Sequence, residues 1–213
     1  MPVKQFKVGG DRNFGYLAWD EETRESFIVD PAYSPKMIID YAHESGLLIK
    51  YIFNTHAHFD HTNGNAEAAQ ITGVSAVGFD DYEHLTDQDI SDGSILPLGK
   101  KKIKIIYTPG HTDDSICILF EDSLFTGDTL FVGKVGGTGF GTDARLEYDS
   151  LHQKLMTLPN DTKIYPGHDY GVAPESTIAH EKGTNPFLLR PDFESFVDLK
   201  KNWAEYKKEH GIA

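Results

Sequence analysis

The sequence of 213 residues contains a single cysteine, Cys117, which excludes an internal disulfide and is compatible with a reducing cytoplasm. It has no apolar run close to the roughly 18 residues that a membrane span requires, and residues 1–7 lack the apolar stretch of a signal peptide. We therefore expect a cytoplasmic protein without a membrane partner. Basic residues are also few: 20 Lys and Arg against 33 Asp and Glu give a net charge of −13, which would repel the phosphates of nucleic acid. We expect no nucleic-acid partner.

The hydrophobic residues that are present, 39% of the chain, occur in short runs typical of a globular protein with mixed strands and helices. Strands are predicted at residues 16–19, 26–29, 48–53, 74–77, 103–107, 116–120, 124–126 and 163–165. Helices are predicted at residues 35–45, 64–72, 146–158 and 192–209, the last of them amphipathic and C-terminal. Because strands and helices mix in both halves, we expect one α/β domain over residues 1–213, built as a layered sandwich.

The strongest signal for function is residues 55–61, which read Thr-His-Ala-His-Phe-Asp-His and follow a predicted strand. Alternate residues of an extended segment point the same way, so His56 and His58 can hold one ion together. Asp60 and His61 lie where the chain turns toward the next helix, and they can face a second position. Imidazole and carboxylate ligands without nearby thiols favour a zinc, iron or manganese site over a structural zinc clip.

Three further polar residues follow predicted strands in the same way. Each stands directly after a glycine: His111, Asp128 and His168. Functional sites are commonly assembled from loops at one edge of a rigid sheet. The sequence therefore predicts that these three residues join the 55–61 cluster in one metal site.

The chain resembles the metallo-β-lactamase superfamily over essentially its whole length. The residues that carry the resemblance are 55–61, 109–111, 127–128 and 167–168. The resemblance implies a four-layer αββα sandwich that binds two divalent metal ions, with zinc as the first choice and iron or manganese as alternatives. By position, the first ion would be bound by His56, His58 and His111. The second ion would be bound by Asp60, His61 and His168, and Asp128 would bridge the two. The resemblance further implies that Asp30 orients one of the ligands.

Within the superfamily, residues 127–131, Gly-Asp-Thr-Leu-Phe, and the glycine-rich segment after them resemble the glyoxalase II branch. That branch hydrolyses hydroxyacylglutathione, so the resemblance implies a small-molecule thioester or another glutathione-derived substrate. A metal-bound hydroxide would attack the thioester carbonyl, because coordination lowers the pKa of water to about 7. Asp128 would space the ions and Asp60 would help to orient the hydroxide, so both are expected to be catalytic.

The segment 167–170, Gly-His-Asp-Tyr, resembles the late motif of the same branch, in which the tyrosine contacts glutathione. Tyr170 is therefore a candidate substrate contact. The basic residue and the tyrosine with which the branch also holds glutathione fall here on Gly137 and Gly139. Lys134 and Arg145 are the candidates to replace the missing positive charge.

Two other functions are compatible with the same residues. Persulfide dioxygenases form a neighbouring branch with the same metal-site motifs, but they use one Fe(II), which would be held here by His56, His111 and Asp128. Their glycine-rich loop matches this chain at Thr138 and Phe140. The third hypothesis is a metal-binding module without catalytic activity. The sequence makes no prediction about the oligomeric state.

Overall fold

The computed structural model describes residues 2–79 and 90–212, which form two β-sheets packed face to face. The first sheet has five strands in chain order: β1 (Val3–Gly9), β2 (Asn13–Trp19), β3 (Glu25–Val29), β4 (Leu48–Phe53) and β5 (Ala76–Val77). The second has six strands in the spatial order β13 (Ser176–Thr177), β12 (Lys163–Pro166), β9 (Ser123–Gly127), β8 (Ile116–Phe120), β7 (Lys101–Tyr107) and β6 (Ile95–Leu98). A separate two-stranded ribbon is formed by β10 (Leu130–Phe131) and β11 (Lys134–Val135).

The helices connect these strands. They are α1 (Pro35–Glu44), α2 (Phe59–Thr62), α3 (Asn65–Thr72), α4 (Thr142–Asp149), α5 (Ile178–Thr184), α6 (Phe193–Lys201) and α7 (Trp203–His210). Local chemistry explains several of their ends: α1 begins with Pro35, and α3 ends at Gly73, whose φ of 74° is left-handed. Within the described ranges, no helix has both the length and the apolar character needed to cross a membrane.

The fold has four layers, helices on the outer face of each of two sheets, with a hydrophobic core between each pair of neighbouring layers. Each sheet contributes to two cores because successive strand residues face opposite sides of the sheet. Phe27 lies between the sheets, where its ring centroid is 5.2 Å from that of Phe120. The next residue, Ile28, faces outward and belongs to the core beneath α1 and α3. On the outer face of the second sheet, Leu124 packs in a core with residues of α4, α5 and α6. The predicted four-layer αββα sandwich is confirmed.

Two predicted helices differ from the observed ones. The segment predicted as a helix at 146–158 begins earlier, as α4, and continues through a π-helical turn (Ser150–Lys154) and a 3₁₀ turn (Leu155–Thr157). The C-terminal segment predicted at 192–209 is two helices, α6 and α7, which meet at Asn202. The carbonyl oxygen of Asp198 accepts two hydrogen bonds from Asn202, one from the side-chain Nδ2 at 3.0 Å and one from the backbone N–H. An apolar stripe predicts a helical face, but it does not show such local changes in hydrogen bonding.

Several short elements were not predicted from the sequence. They are β1, β6 and β13, which lie at sheet edges, the ribbon β10–β11, and the short helices α2 and α5. The strand predicted at 74–77 is shortened to β5 at 76–77. Edge strands carry fewer apolar residues than central ones because one side lacks a neighbour, so their hydrophobic signal is weak.

Candidate metal centre

The predicted metal-binding residues meet at one edge of the two sheets. Strand β9 is parallel to β12, and β7 runs in the same direction because both β7 and β9 are antiparallel to β8. The carboxyl ends of these three strands therefore open on the same edge and place there His111, Asp128 and His168. Strand β4 of the first sheet ends at Phe53 and leads to the other four: His56, His58, Asp60 and His61.

Gly127 allows the two sheets to approach closely at this edge. Its φ of 48° is left-handed, and a Cβ atom placed on it would lie 2.4 Å from Oγ1 of Thr55. A residue with a side chain would be strained in this conformation and would also collide with Thr55. Glycine before Asp128 is therefore what lets the end of β9 reach the histidine loop.

The first group of candidate ligands consists of three imidazoles. His58 Nδ1 lies 2.9 Å from His56 Nε2 and 3.1 Å from His111 Nε2. Two ligands 2.0–2.1 Å from one tetrahedral zinc ion would be about 3.3 Å apart, so this spacing fits a shared ion. His56 is buried whereas His58 is exposed, so the group is open to solvent on one side.

The second group consists of one carboxylate and two imidazoles. His168 Nε2 lies 3.3 Å from His61 Nε2 and 3.4 Å from Asp60 Oδ2. The ligand atoms of all three residues lie within 4.8 Å of one another. A mixed set of imidazole and carboxylate ligands suits a divalent zinc, iron or manganese ion.

Asp128 lies between the two groups. Its Oδ2 is 3.6 Å from His111 Nε2 and 3.4 Å from His168 Nε2, and its Oδ1 is 3.4 Å from His61 Nε2. Within the described part of the chain, the buried Oδ1 has no hydrogen-bond donor of good geometry. A buried carboxylate oxygen without a partner is costly, and a cation between the groups would remove that cost.

Contacts behind the imidazoles turn their other nitrogens toward the centre. His111 Nδ1 donates to the carbonyl oxygen of Gly137 at 2.7 Å, and His168 Nδ1 donates to that of Asp11 at 2.8 Å. Carbonyl oxygens only accept, so each ring carries its hydrogen on Nδ1 and presents the lone pair of Nε2 to the centre. Such partners fix the orientation of a metal-binding histidine.

Asp30 fixes both the loop and one imidazole. Its carboxylate accepts hydrogen bonds from the backbone N–H and from the hydroxyl of Thr55, each at 2.8 Å, and it lies 2.9 Å from His61 Nδ1. Asp30 has a left-handed φ of 50°, which is uncommon for a residue with a side chain. The role predicted for Asp30, which is to orient a ligand, agrees with these contacts.

The histidines differ in charge. Burial lowers the pKa of His56 to about 3, and burial also lowers the pKa of His111, so both rings are neutral near pH 7. Burial acts in the same direction on His61, but the carboxylates of Asp30 and Asp128 outweigh it and raise the pKa of His61 to about 10. Burial opposes ionisation of Asp128, yet the neighbouring imidazoles of His168 and His61 hold its pKa well below the usual range.

The predicted substrate contacts lie in two different places. The ring of Tyr170 stacks on His168 with centroids 4.5 Å apart, and Lys134 Nζ lies 4.4 Å from the centroid of the Tyr170 ring. These two residues therefore adjoin the cluster of candidate metal ligands. The guanidinium of Arg145 instead lies 3.7 Å from the ring centroid of Phe193 on α6, and the structure does not bring it to Tyr170.

The turn between β1 and β2 and the first residue of β2 contribute contacts that the sequence did not indicate. Asn13 donates to Asp60, and Asp11 accepts hydrogen bonds from both His168 and the hydroxyl of Tyr170, the latter at 2.7 Å. Asn13 also pairs with His168 through an isolated β-bridge. The only sequence signal was the turn-forming character of residues 9–13, which does not indicate a role in a metal site.

Known proteins of several kinds are similar to this chain. The sequence profile of the metallo-beta-lactamase superfamily matches residues 9–87 and 76–168. The chain is 39% identical to hydroxyacylglutathione hydrolase of Pelagibacter ubique, and the match covers 74% of this chain and 67% of that protein. It is 32% identical to hydroxyacylglutathione hydrolase of Maricaulis maris, and that match covers 89% of this chain and 87% of that protein. It is 34% identical to human mitochondrial persulfide dioxygenase ETHE1, over 89% and 76%. The crystal structure of ETHE1 from Myxococcus xanthus matches with a TM-score of 0.87 and 33% identity, over 95% of this chain and 91% of that one.

Proposed function

The chain belongs to the metallo-beta-lactamase superfamily, and on this premise we propose that it is a two-metal thioester hydrolase similar to hydroxyacylglutathione hydrolases. This superfamily binds divalent metal ions, and our proposal adds the residues that bind them here. The first ion is assigned to His56, His58 and His111. The second is assigned to Asp60, His61 and His168, with Asp128 shared between the ions. The observation that carries the proposal is the position of Asp128 between two complete three-residue groups.

The chemistry of these ligands favours zinc, and iron and manganese are the alternatives. Metal analysis of the purified protein distinguishes the three. When bound, divalent ions lower the pKa of a coordinated water and polarise the carbonyl oxygen of a substrate. The Asp60 carboxylate is one-third exposed at the mouth of the centre. We assign to its Oδ2 the hydrogen bond that orients the attacking water. Attack on the thioester carbonyl breaks the carbon–sulfur bond and releases a carboxylic acid and a thiol.

The surface beside Tyr170 suits an anionic leaving group such as glutathione. A groove of about 220 Å³ is lined by residues that include Lys134, Gly137 and Phe140. The half-buried ammonium of Lys134 lies at the Tyr170 end of this groove and can pair with a substrate carboxylate. The names of the similar hydrolases support a glutathione thioester as the substrate. Arg145 lies against Phe193, and we assign it no contact with the substrate.

Persulfide dioxygenase is the second candidate function, and the match to the Myxococcus xanthus structure favours it. That reaction would need one Fe(II) held by His56, His111 and Asp128, a set of two imidazoles and one carboxylate that leaves coordination positions open for oxygen. In this chain the 3.6 Å separation of His111 Nε2 from Asp128 Oδ2 is compatible with a shared ion. The second group of ligands has no direct role in such a reaction.

Metal analysis combined with two activity assays tests the proposal. Protein purified without oxygen is analysed for metal, then assayed for hydroxyacylglutathione cleavage and for oxygen uptake with glutathione persulfide. We expect two ions per chain and thioester cleavage, and both should be lost in His111→Ala, since removing one ligand leaves too few for the first ion. His180→Ala, an exposed histidine on α5, is the matched control and should retain both. One iron per chain with oxygen uptake would support the dioxygenase, and normal metal content in His111→Ala would contradict the ligand assignment.

A further inference from the structure

A buried ion pair joins α4 to α6 behind the metal-binding cluster. Lys200 Nζ lies 2.5 Å from Glu147 Oε2, and the two side chains are 6% and 0% exposed. Burying two charges costs so much that an apolar pair of the same size is often equally stable or more stable. The pair is therefore poorly explained as a contribution to stability alone.

Lys200 also holds the backbone that contacts His111. Its ammonium donates to the carbonyl oxygen of Gly136 at 2.7 Å, and the carbonyl oxygen of the next residue, Gly137, accepts the hydrogen bond from His111 Nδ1. Two consecutive glycines have unusually high backbone freedom. Lys200 is thus an anchor for a segment that would otherwise hold His111 loosely.

Glu147 packs against the turn that leads to the same histidine. Gly110, the residue before His111, packs so closely on α4 that a Cβ atom placed on it would lie 2.4 Å from the Cβ atom of Glu147. Gly110 has a φ of 147°, so a side chain would be strained there as well. One turn further along, Ser150 Oγ donates to the carbonyl oxygen of Pro109 at 2.9 Å. The turn that presents His111 therefore rests on the segment that carries Glu147.

We propose that Lys200 is a positioning residue for His111 and that Glu147 is the buried counter-ion that holds Lys200 in place. By fixing Gly136 and Gly137, Lys200 keeps the Gly137 carbonyl oxygen in place to accept from Nδ1, so that Nε2 of His111 faces the metal centre. Glu147 neutralises the buried ammonium and backs the turn at Gly110. The importance of this arrangement for catalysis rests on the proposed function, in which His111 binds the first ion.

Three variants separate a positioning role from a purely structural one. Lys200→Met removes the anchor and leaves Glu147 buried without a partner, so both thermal stability and zinc affinity at the first position should fall. The double variant Glu147→Met with Lys200→Met replaces the pair by apolar side chains of similar size and should regain most of the stability. Its zinc affinity, measured by competition with a chelator, should stay about 10-fold below that of the original protein. Lys208→Met, an exposed lysine on α7, is the matched control.

Glu147→Gln leaves the Lys200 ammonium buried without a counter-charge, so thermal stability should fall. Its amide oxygen can still accept from Lys200, so the bond from Lys200 to Gly136 should remain and zinc affinity should stay within about 2-fold of the original. This variant keeps the test decisive if the double variant does not fold. Nitrogen-15 NMR of the metal-free protein supplies a reading that needs neither metal nor activity. The ring of His111 should carry its hydrogen on Nδ1 in the original protein and in Glu147→Gln, but exchange between both nitrogens in Lys200→Met. A normal zinc affinity in the double variant, or a single Nδ1–H form in Lys200→Met, would overturn the proposal. Failure to cleave thioesters would leave these ring measurements unchanged and would count against the proposed function alone.

Discussion

Asn13 donates from Nδ2 to Oδ2 of Asp60 at 2.9 Å and to the backbone carbonyl oxygen of Asp60 at 3.1 Å. The two hydrogen bonds join the first residue of β2 to α2, and they restrict rotation of the Asp60 carboxylate. Asn13 is only 1% exposed, so water does not replace these bonds easily. The first hairpin of the fold therefore determines how Asp60 faces His61 and His168.

Replacing Asn13 with alanine should weaken binding of the second ion selectively. Loss of a hydrogen-bond partner behind a metal ligand typically lowers affinity by about 10-fold to 100-fold. In the first group, the hydrogen bond from His111 to Gly137 does not involve Asn13 and should be unchanged. Stepwise zinc titration against a chelator resolves the two ions. Asn160→Ala, at an exposed asparagine, serves as the control. Equal weakening of both ions in Asn13→Ala would show that Asn13 supports the fold and not Asp60 in particular.

His61→Ala should separate the two candidate enzymes. In a two-metal hydrolase, losing a ligand of the second ion removes charge stabilisation worth several kcal/mol, so thioester cleavage should fall about 10²-fold or more. In a one-iron dioxygenase His61 would not bind the iron, and the variant should keep much of its oxygen uptake. Iron content and both rates are measured on the same preparation. If His61→Ala retains one iron and consumes oxygen with glutathione persulfide, the hydrolase proposal should be abandoned.

Gly137→Lys should lower the KM for a glutathione thioester. Nothing lies within 4 Å of a Cβ atom placed on Gly137, and the residue lines the groove beside Lys134, so a lysine can extend there without a clash. An added cation near the groove should attract the glutathione carboxylates, with a several-fold lower KM and little change in kcat. Gly183→Lys, at an exposed position of α5 that is equally free of neighbours, is the control. An unchanged KM, or a KM in the low micromolar range before any substitution, would show that other residues hold the substrate.

Glu147 should make stability depend on pH. Burial raises the pKa of this carboxyl to about 7 although Lys200 opposes the shift, whereas the ordinary value is 4.5. The folded protein therefore binds a proton that the unfolded chain releases, and the resulting stability is present below pH 4.5 and lost as the pH rises through about 7. Glu147→Gln should remove this slope, which is at most about 1.4 kcal/mol per pH unit. Urea unfolding of both proteins from pH 5 to pH 8 measures the difference, and parallel curves would contradict the prediction.

The layered fold and the meeting of the seven candidate ligands could be predicted because both depend on local sequence. Central strands carry dense apolar runs, and each ligand follows the end of a strand by at most eight residues, as His111 does after β7 and His168 after β12. Once several strands point the same way, their carboxyl ends share one edge. Short motifs at those ends then indicate the site without knowledge of the packing.

The residues behind the ligands could not be predicted because they act across long separations in sequence. Asn13 reaches Asp60, and Lys200 reaches Gly136, through packing that no periodicity encodes. The position of Arg145 also depends on packing between distant parts of the sequence. Its charge suggested a substrate contact, but the docking of α6 against α4 gives it an aromatic ring to cover instead.

The distribution of the candidate ligands over both sheets also constrains how the protein matures on the ribosome. Asp128 and His168 are supplied only by β9 and β12, well after the histidine loop has been synthesised. A nascent chain that ends before β12 can offer an ion the early histidines but not the second group, and domains generally fold as units. On the proposed ligand assignment, the second position can therefore be completed only after β12 has been synthesised, whereas the three histidines of the first position are already present once His111 has been added to the chain.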